Sequence, residues 1–228
     1  ATFTSIEELY DAFFKQVDYF AGKLRLDYFI RRSIDMEHSP QAAFVGVLHF
    51  EDSISTGLLP QRGGSKYPAL FSMEWVGDRG ISDVADSLTA IKYLVFDKKE
   101  LTMAELLNAL KTNWEGNEEL RQKCLQAPKY GNDDDYADSI FKHVWEKTQE
   151  ILQRRPDPFT GLKQYTFKGA AAGHIIHGRA VGATPNGRMA YTSINDGATS
   201  PMPGMDANGP TANINSANKI STRELRGA

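Results

Sequence analysis

The chain has 228 residues, enough for one large domain or two small ones with a buried core, and its 26 basic and 29 acidic side chains leave a formal net charge of −3. With 24% charged and 41% hydrophobic residues the composition is globular, which excludes coiled-coil, collagen-like and low-complexity classes. The basic residues stand singly or in pairs and no apolar run approaches the roughly 20 residues of a spanning helix, so neither nucleic acid nor membrane is an expected partner.

In chain order, Thr4-Ser5-Ile6-Glu7 has the spacing of a capping box, and Ile6, Leu9, Tyr10, Phe13, Val17, Phe20 and Leu24 recur at helical steps, predicting a long amphipathic helix. Residues 57–64 mix Gly and Pro with polar residues and predict a loop. Residues 66–76 carry Tyr67, Leu70, Phe71, Met73, Trp75 and Val76 and predict a buried strand, broken by Gly77-Asp78-Arg79-Gly80. Val84, Leu88, Ile91, Leu94 and Val95 then resume a helical period up to Asp97, completing an α/β unit. Thr102 with Glu105 forms a second capping box for a helix ending near Asn113. A short helix over 118–125 and a longer one from Tyr136 to Ile151 follow, the latter stopped by Arg155-Pro156-Asp157-Pro158. The remainder is rich in Gly, Ala, Asn and Pro, with a strand expected over about 165–181, and its turn dipeptides predict ordered loops packed on a larger body.

Several side-chain groups invite a chemical reading. Asn132-Asp133-Asp134-Asp135 with Asp138 lacks the alternate spacing, turn Gly and closing Glu of a calcium loop, and is read instead as helix capping. His174 and His177, three apart in the expected strand, would face opposite ways and chelate no common ion. Gly63-Gly64-Ser65-Lys66 lacks the first Gly of a phosphate loop. Cys124, the single cysteine, has no His placed in sequence to activate it and reads as a packing residue; one cysteine admits no internal disulfide and accords with a reducing compartment, the cytoplasm. Glu74 sits between Met73 and Trp75 in an apolar strand, where an ionised group needs a partner or a cavity, and Ser72 shares its face. Gly169, Ala170, Ala171, Ala172 and Gly173 leave space beside the backbone for a closely packed helix or a ligand.

Taken together, Arg62-Gly63-Gly64-Ser65-Lys66-Tyr67, Val84-Ala85-Asp86-Ser87-Leu88-Thr89-Ala90-Ile91-Lys92, Leu94-Val95-Phe96-Asp97, Ala127-Pro128-Lys129-Tyr130-Gly131-Asn132-Asp133-Asp134-Asp135-Tyr136, Val181-Gly182-Ala183-Thr184-Pro185-Asn186-Gly187-Arg188 and Asn208-Gly209-Pro210-Thr211-Ala212 resemble, in order, the later part of the glycyl radical enzymes, the pyruvate formate-lyase-like proteins. The resemblance implies a helix-rich α/β fold, part of a ten-stranded α/β barrel, with residues 1–228 as one segment of the barrel domain and a fragment of a larger chain. In that family a backbone glycyl radical, installed by a radical-SAM activating enzyme, generates a thiyl radical on a cysteine that takes hydrogen from a small-molecule substrate; homodimers are the rule.

Neither the thiyl-cysteine loop nor the radical-glycine loop occurs here, so the resemblance assigns no catalytic residue and no metal or bound cofactor to this segment, and Cys124 and Gly187 stand in other motifs. What it implies is a stretch of pocket wall. Dehydratase-type members resemble Tyr-Asn-x-Thr-Gly-Pro-Gln-Gly where this chain has Tyr67-Pro68-Ala69-Leu70-Phe71-Ser72-Met73-Glu74, and a glutamate seven residues after the tyrosine resembles the substrate-contacting glutamate of the hydroxyphenylacetate decarboxylases. Gly169 falls where dehydratase relatives carry a pocket tyrosine, and with Ala171 it enlarges the site. The expected substrate-binding residues are therefore Glu74, Ser72, Gly169 and Ala171. The expected activity is radical C–C chemistry on a bulky, aromatic substrate, as in an arylacetate decarboxylase. An aryl- or alkylsuccinate synthase, or a silent barrel piece that only binds a ligand or partner, are the alternatives.

Overall fold

A computed structural model describes residues 3–38, 51–57, 80–156, 173–197 and 199–220. The described elements are α1 (Ile6–His38), α2 (Glu51–Thr56), α3 (Ile81–Ile91) running on into a π-helical turn (Lys92–Asp97), α4 (Met103–Lys111), α5 (Glu118–Gln126), α6 (Asp135–Gln153), α7 (Gly173–Gly178) and α8 (Gly209–Asn218). Among the described residues there is no strand. The strand expected over 66–76 and the phosphate-loop-like Gly63-Gly64-Ser65-Lys66 lie outside them.

The core is built around α3. Ile81, Ala85 and Leu88 pack on Tyr130, Ile140, Phe141, Val144 and Trp145, so α3 meets α6 along its apolar stripe. Its opposite face is buried too, but by polar side chains: Ser82, Asp83, Asp86, Ser87 and Thr89 are all inside. The helix absorbs its hydroxyls by back-bonding, Ser87 Oγ donating to the Asp83 carbonyl (2.6 Å) and Thr89 Oγ1 to that of Ala85 (2.8 Å). Beyond Ile91 the backbone widens into the π turn. There the Lys92 ammonium meets Asp97 Oδ2 (2.7 Å) and lies 4.6 Å from the centre of the Tyr136 ring, joining the turn to α6.

α1 lies along α6, with Tyr10 and Phe14 against His143, and Asp18 paired with Arg155. Ile6, Phe14 and Ala21 are buried as a helical stripe requires, yet Phe20 and Leu24 are 58% and 50% exposed. The last turn of α6 packs Ile151 and Leu152 beside Phe14 and Ala21, and past it Arg25 Nη2 donates to the Pro156 carbonyl (2.6 Å). The first cap is also displaced by one residue: Ser5 Oγ accepts from the Glu8 amide (3.4 Å) while Glu8 Oε2 accepts from that of Thr4 (2.7 Å). The second forms as read, Thr102 and Glu105 bonding reciprocally at 3.2 and 2.8 Å.

The C-terminal third is ordered loop and short helix packed on this body. The strand expected over 165–181 is wrong in its described part, where residues 173–178 form α7. Ile175 and Ile176 favour strands, but tertiary contact overrides them. Gly178 closes α7 so tightly against the 192–194 backbone that a Cβ there would lie 2.3 Å from the Thr192 carbonyl oxygen, and the Ile194 amide donates to the His174 carbonyl (3.4 Å). His174 and His177 consequently sit one helical turn apart, not on opposite strand faces.

The loop that follows turns at Gly187, whose φ of 94° is a left-handed conformation that L side chains rarely adopt. A Cβ on Gly187 would stand 2.6 Å from Leu125 Cγ on α5. Gly187→Ala is expected to cost about 1–2 kcal/mol for the backbone and a further ~1–3 kcal/mol for overpacking. Thermal unfolding checks this, and an unchanged midpoint would show that the turn does not depend on glycine.

Candidate functional site

Every residue that the sequence places in a substrate pocket, Glu74, Ser72, Gly169 and Ala171, lies outside the described residues. What is described is a buried polar structure built around α3.

Asp83, in the first turn of α3 and 4% exposed, is its centre. Its Oδ2 accepts from the Asn195 amide (2.7 Å), its Oδ1 from Asn186 Nδ2 (3.3 Å), and Arg188 Nε stands 3.8 Å away. Burial pushes the Asp83 carboxyl above its usual range, while these two donors and the guanidinium pull it back. Asn186 is held in turn, its Oδ1 accepting from Thr184 Oγ1 (2.6 Å) and the Arg188 amide (3.2 Å). Arg188, 2% exposed, spreads its donors over the carbonyls of Val181, Gly182, Met189 and Thr192 and the Thr184 hydroxyl, so the cation is hydrogen-bonded as well as paired. Trp114 Nε1 and Arg121 Nε fix the same turn through the carbonyls of Arg188 (3.1 Å) and Gly187 (2.9 Å).

One turn further along α3, fully buried Asp86 accepts from the Tyr130 amide (2.9 Å); its Oδ2 has no hydrogen-bond partner among the described residues. Lys129, also buried, gives its protons to the carbonyls of Cys124 and Ala127 (2.7 Å each) and acts on Asp86 through its charge. Burial dominates and pushes Asp86 up to about 7, with Asp83 and Asp138 adding to it. The Lys129 ammonium is pushed down by the same burial and held up by Asp86.

The acidic run at the start of α6 makes a third pairing. Asp134 caps the helix, accepting from the Tyr136 amide (2.9 Å), as the capping reading requires. The other carboxylates converge on one ammonium: Lys219 Nζ lies 2.8 Å from Asp133, Asp135 and Asp138, three acceptors for three N–H donors. Ser216 Oγ adds a bond to buried Asp138 (2.9 Å), and Asn208 brackets Asn132 through two bonds of 3.0 Å.

Three groups missed at sequence level thus carry the interior: Asp83, Asn195 and Lys219. The legible signal was for acidic residues inside the α3 period, where Asp83 and Asp86 sit three apart among Ile81, Val84, Ala85 and Leu88. A cleft of about 460 Å³ also opens between the 196–206 loop and α8, lined by residues including Asp196, Ser200, Met202, Asp206 and Ile214.

Cys124 and Gly187 do not fit the radical-carrying positions. Cys124 is buried and its thiol is pushed up to about 11, so it stays protonated, and Gly187 is packed in a turn against Leu125. No helix among the described residues is long and apolar enough to cross a membrane.

Known proteins share this architecture. Residues 1–169 match the family described as pyruvate formate lyase-like. The chain belongs to that family. It is 38% identical over 219 residues to trans-4-hydroxy-L-proline dehydratase of Clostridioides difficile, covering 96% of this chain and 27% of that protein. Isethionate sulfite-lyase of Nitratidesulfovibrio vulgaris is 46% identical over 143 residues, 61% of this chain and 17% of the relative. Indoleacetate decarboxylase of Tractidigestivibacter scatoligenes is 29% identical over 199 residues, 77% and 22% of the two chains. The crystal structure of a hydroxyproline dehydratase from Clostridioides difficile, with its substrate bound, superposes with a TM-score of 0.81 at 36% identity, over 98% of this chain and 28% of that one. The chain therefore spans about a quarter of the length of the dehydratase it matches. It is a glycyl radical enzyme sequence, of a family whose members are lyases and dehydratases.

The Asp86 pKa carries a pH signature. Because folding raises it from the usual carboxylate value near 4, folding favours the protonated form. That stabilisation is complete below pH ~4 and is lost as the pH rises through about 7. Between pH ~4.5 and ~7.5 the intact enzyme should lose more melting temperature than its Asp86→Asn variant, which has no such proton to release. Parallel profiles would mean that Asp86 titrates normally.

Proposed function

We propose that the chain is a section of the barrel wall of a glycyl radical lyase that performs C–C bond chemistry on a bulky, aromatic carboxylate, in the manner of an arylacetate decarboxylase. The observation that carries this reading is Tyr67-Pro68-Ala69-Leu70-Phe71-Ser72-Met73-Glu74, which replaces the dehydratase-type pattern with one ending in a carboxylate. Gly169 and Ala171 support it by supplying volume where dehydratase-type relatives place a ring, and the decarboxylase relative acts, by its name, on indoleacetate.

On this reading the glycyl radical, installed by a radical-SAM activating enzyme, supplies the hydrogen-abstracting chemistry from outside this segment. The chain's own residues bind and orient. Glu74, with Ser72 beside it, receives a polar substituent or a proton of the substrate, the small residues shape the space for its ring, and the packed wall excludes water. The intact enzyme works as a homodimer in the cytoplasm.

A dehydratase of hydroxyproline type is the second reading, favoured by 38% identity over nearly the whole chain. Overall identity weighs the scaffold, however, whereas substrate class depends on a few pocket positions.

The test is anaerobic activation of the intact enzyme, its radical spectrum, and parallel assays of an arylacetate for CO₂ release, of trans-4-hydroxy-L-proline for loss of water, and of a hydrocarbon with fumarate for adduct formation. Turnover of the arylacetate is expected, with Glu74→Gln lowering kcat/KM at least ~10-fold, equivalent to about 1.4 kcal/mol of transition-state stabilisation. Turnover of hydroxyproline alone would favour the dehydratase, adduct formation alone a succinate synthase, and an absent radical doublet a silent barrel piece. An unchanged rate in the variant would remove Glu74 from the pocket.

A further inference from the structure

Asn-Gly pairs are chemically labile, because a glycine nitrogen meets no side chain of its own residue as it approaches the asparagine Cγ. The chain has two of them, Asn186-Gly187 and Asn208-Gly209. Sequence alone does not separate the pairs, but their surroundings do.

Asn186 is fully buried, and both polar atoms of its side chain are engaged. Its Nδ2 donates to Asp83 Oδ1 (3.3 Å) and Met202 Sδ (3.0 Å), while its Oδ1 accepts from Thr184 Oγ1 and the Arg188 amide. The Gly187 amide, which would be the nucleophile, donates to the Thr184 carbonyl (3.0 Å), and a Cβ on Gly187 would meet Leu125 at 2.6 Å. That turn has no room to swing, so reaction there must wait for the core around it to open.

Asn208 is exposed, and Gly209 begins α8. Apart from chain neighbours and its own helix backbone, nothing lies within 4 Å of the place a Cβ on Gly209 would take. The Gly209 amide makes a long bond to the Asp206 carbonyl (3.4 Å), and Asn208 is tied to Asn132 through its backbone amide and its Nδ2.

We propose that Asn208 is a site of spontaneous deamidation in the native protein, while Asn186 is protected by its packing. The Gly209 nitrogen gives its proton to water or hydroxide and bonds to Asn208 Cγ. The Cγ–Nδ2 bond then breaks, and that nitrogen takes a proton from water and leaves as ammonia, closing a succinimide. Water opens the ring at either carbonyl to give aspartate or isoaspartate, with no oxidant or reductant involved. The product is negatively charged and has no Nδ2–H to donate, so Asn208 loses one of its two ties to Asn132.

The test incubates the native protein at mildly alkaline pH, where the glycine amide ionises more readily, and in parallel a sample unfolded in denaturant. Both are digested at acid pH, where the ring does not form, and read by mass spectrometry with fragmentation that distinguishes aspartate from isoaspartate. In the native protein the peptide holding Asn208 should convert at least ~10-fold faster than the one holding Asn186, because only the latter awaits local opening. In the unfolded sample the two should convert at similar rates. Equal conversion of both sites in the native protein would overturn the inference, as would an Asn208 that stays intact while the unfolded chain converts. A tenfold difference that persists in the unfolded sample would overturn it too, since sequence and not packing would then be the cause.

Discussion

The interior of this chain depends on carboxylates that have been taken out of water and must be answered there. A carboxylate in an apolar environment costs several kcal/mol unless donors and a counter-charge surround it. Here Asp83, Asp86 and Asp138 are buried on α3 and α6 and each has a cation near it: Arg188 faces Asp83, Lys129 acts on Asp86 through its charge, and Lys219, shared with Asp133 and Asp135, binds Asp138. The cations come from three different loops or helix ends. Pairing the acids therefore brings distant parts of the chain together, and removing Arg188 would leave Asp83 without its counter-charge in the core. Such networks add little net stability compared with an apolar core, but they reject misaligned packings, because a shifted loop leaves both an acid and a base unpaired.

The same requirement explains why the irregular last third is ordered. From Arg179 onward the sequence has little of the apolar periodicity that holds helices to a core. The loops after α7 are retained instead by polar bonds to Asp83, Asn113 and Asn132, each made with a backbone amide or carbonyl of the loop. Pro201 packs where a side chain on Gly131 would collide with it at 2.3 Å, so this apolar contact is a backbone approach.

What could be read in advance follows from the range of the forces involved. Caps and helix stops are local, and Thr102 with Glu105, Asp134, and the Pro156 stop of α6 were legible from spacing alone. The short helix α8 was not foreseen, although Gly209-Pro210 places Pro near a helix start in the usual way, because its sequence offers almost no apolar face. α7 was misread as strand, since its Ile pair signals β structure while the contact that decides against it, Gly178 on Thr192, spans a loop of unhelpful composition. The exposure of Phe20 and Leu24 was likewise invisible, as helical spacing alone does not say which apolar residues meet a partner. For the site, the motifs located the family but gave no hint that Asp83 would bind the backbone of Asn195, a bond across 112 positions to a group that every residue except proline possesses.

This division bears on what similarity measures in such a family. A dehydratase, a sulfite-lyase and a decarboxylase, whose names describe three different bond cleavages, all resemble this one chain. The buried acid–base pairs have no reason to change with the bond that is broken, because they act on the backbone rather than on substrate. A position facing the substrate has every reason to change. On the proposed reading, a small residue at position 169 in place of a ring would alter the size of molecule that can be held, and a glutamate at position 74 would change which functional group is recognised. High identity along the wall is therefore compatible with a different substrate, and a handful of pocket positions outweighs the rest of the chain in deciding which.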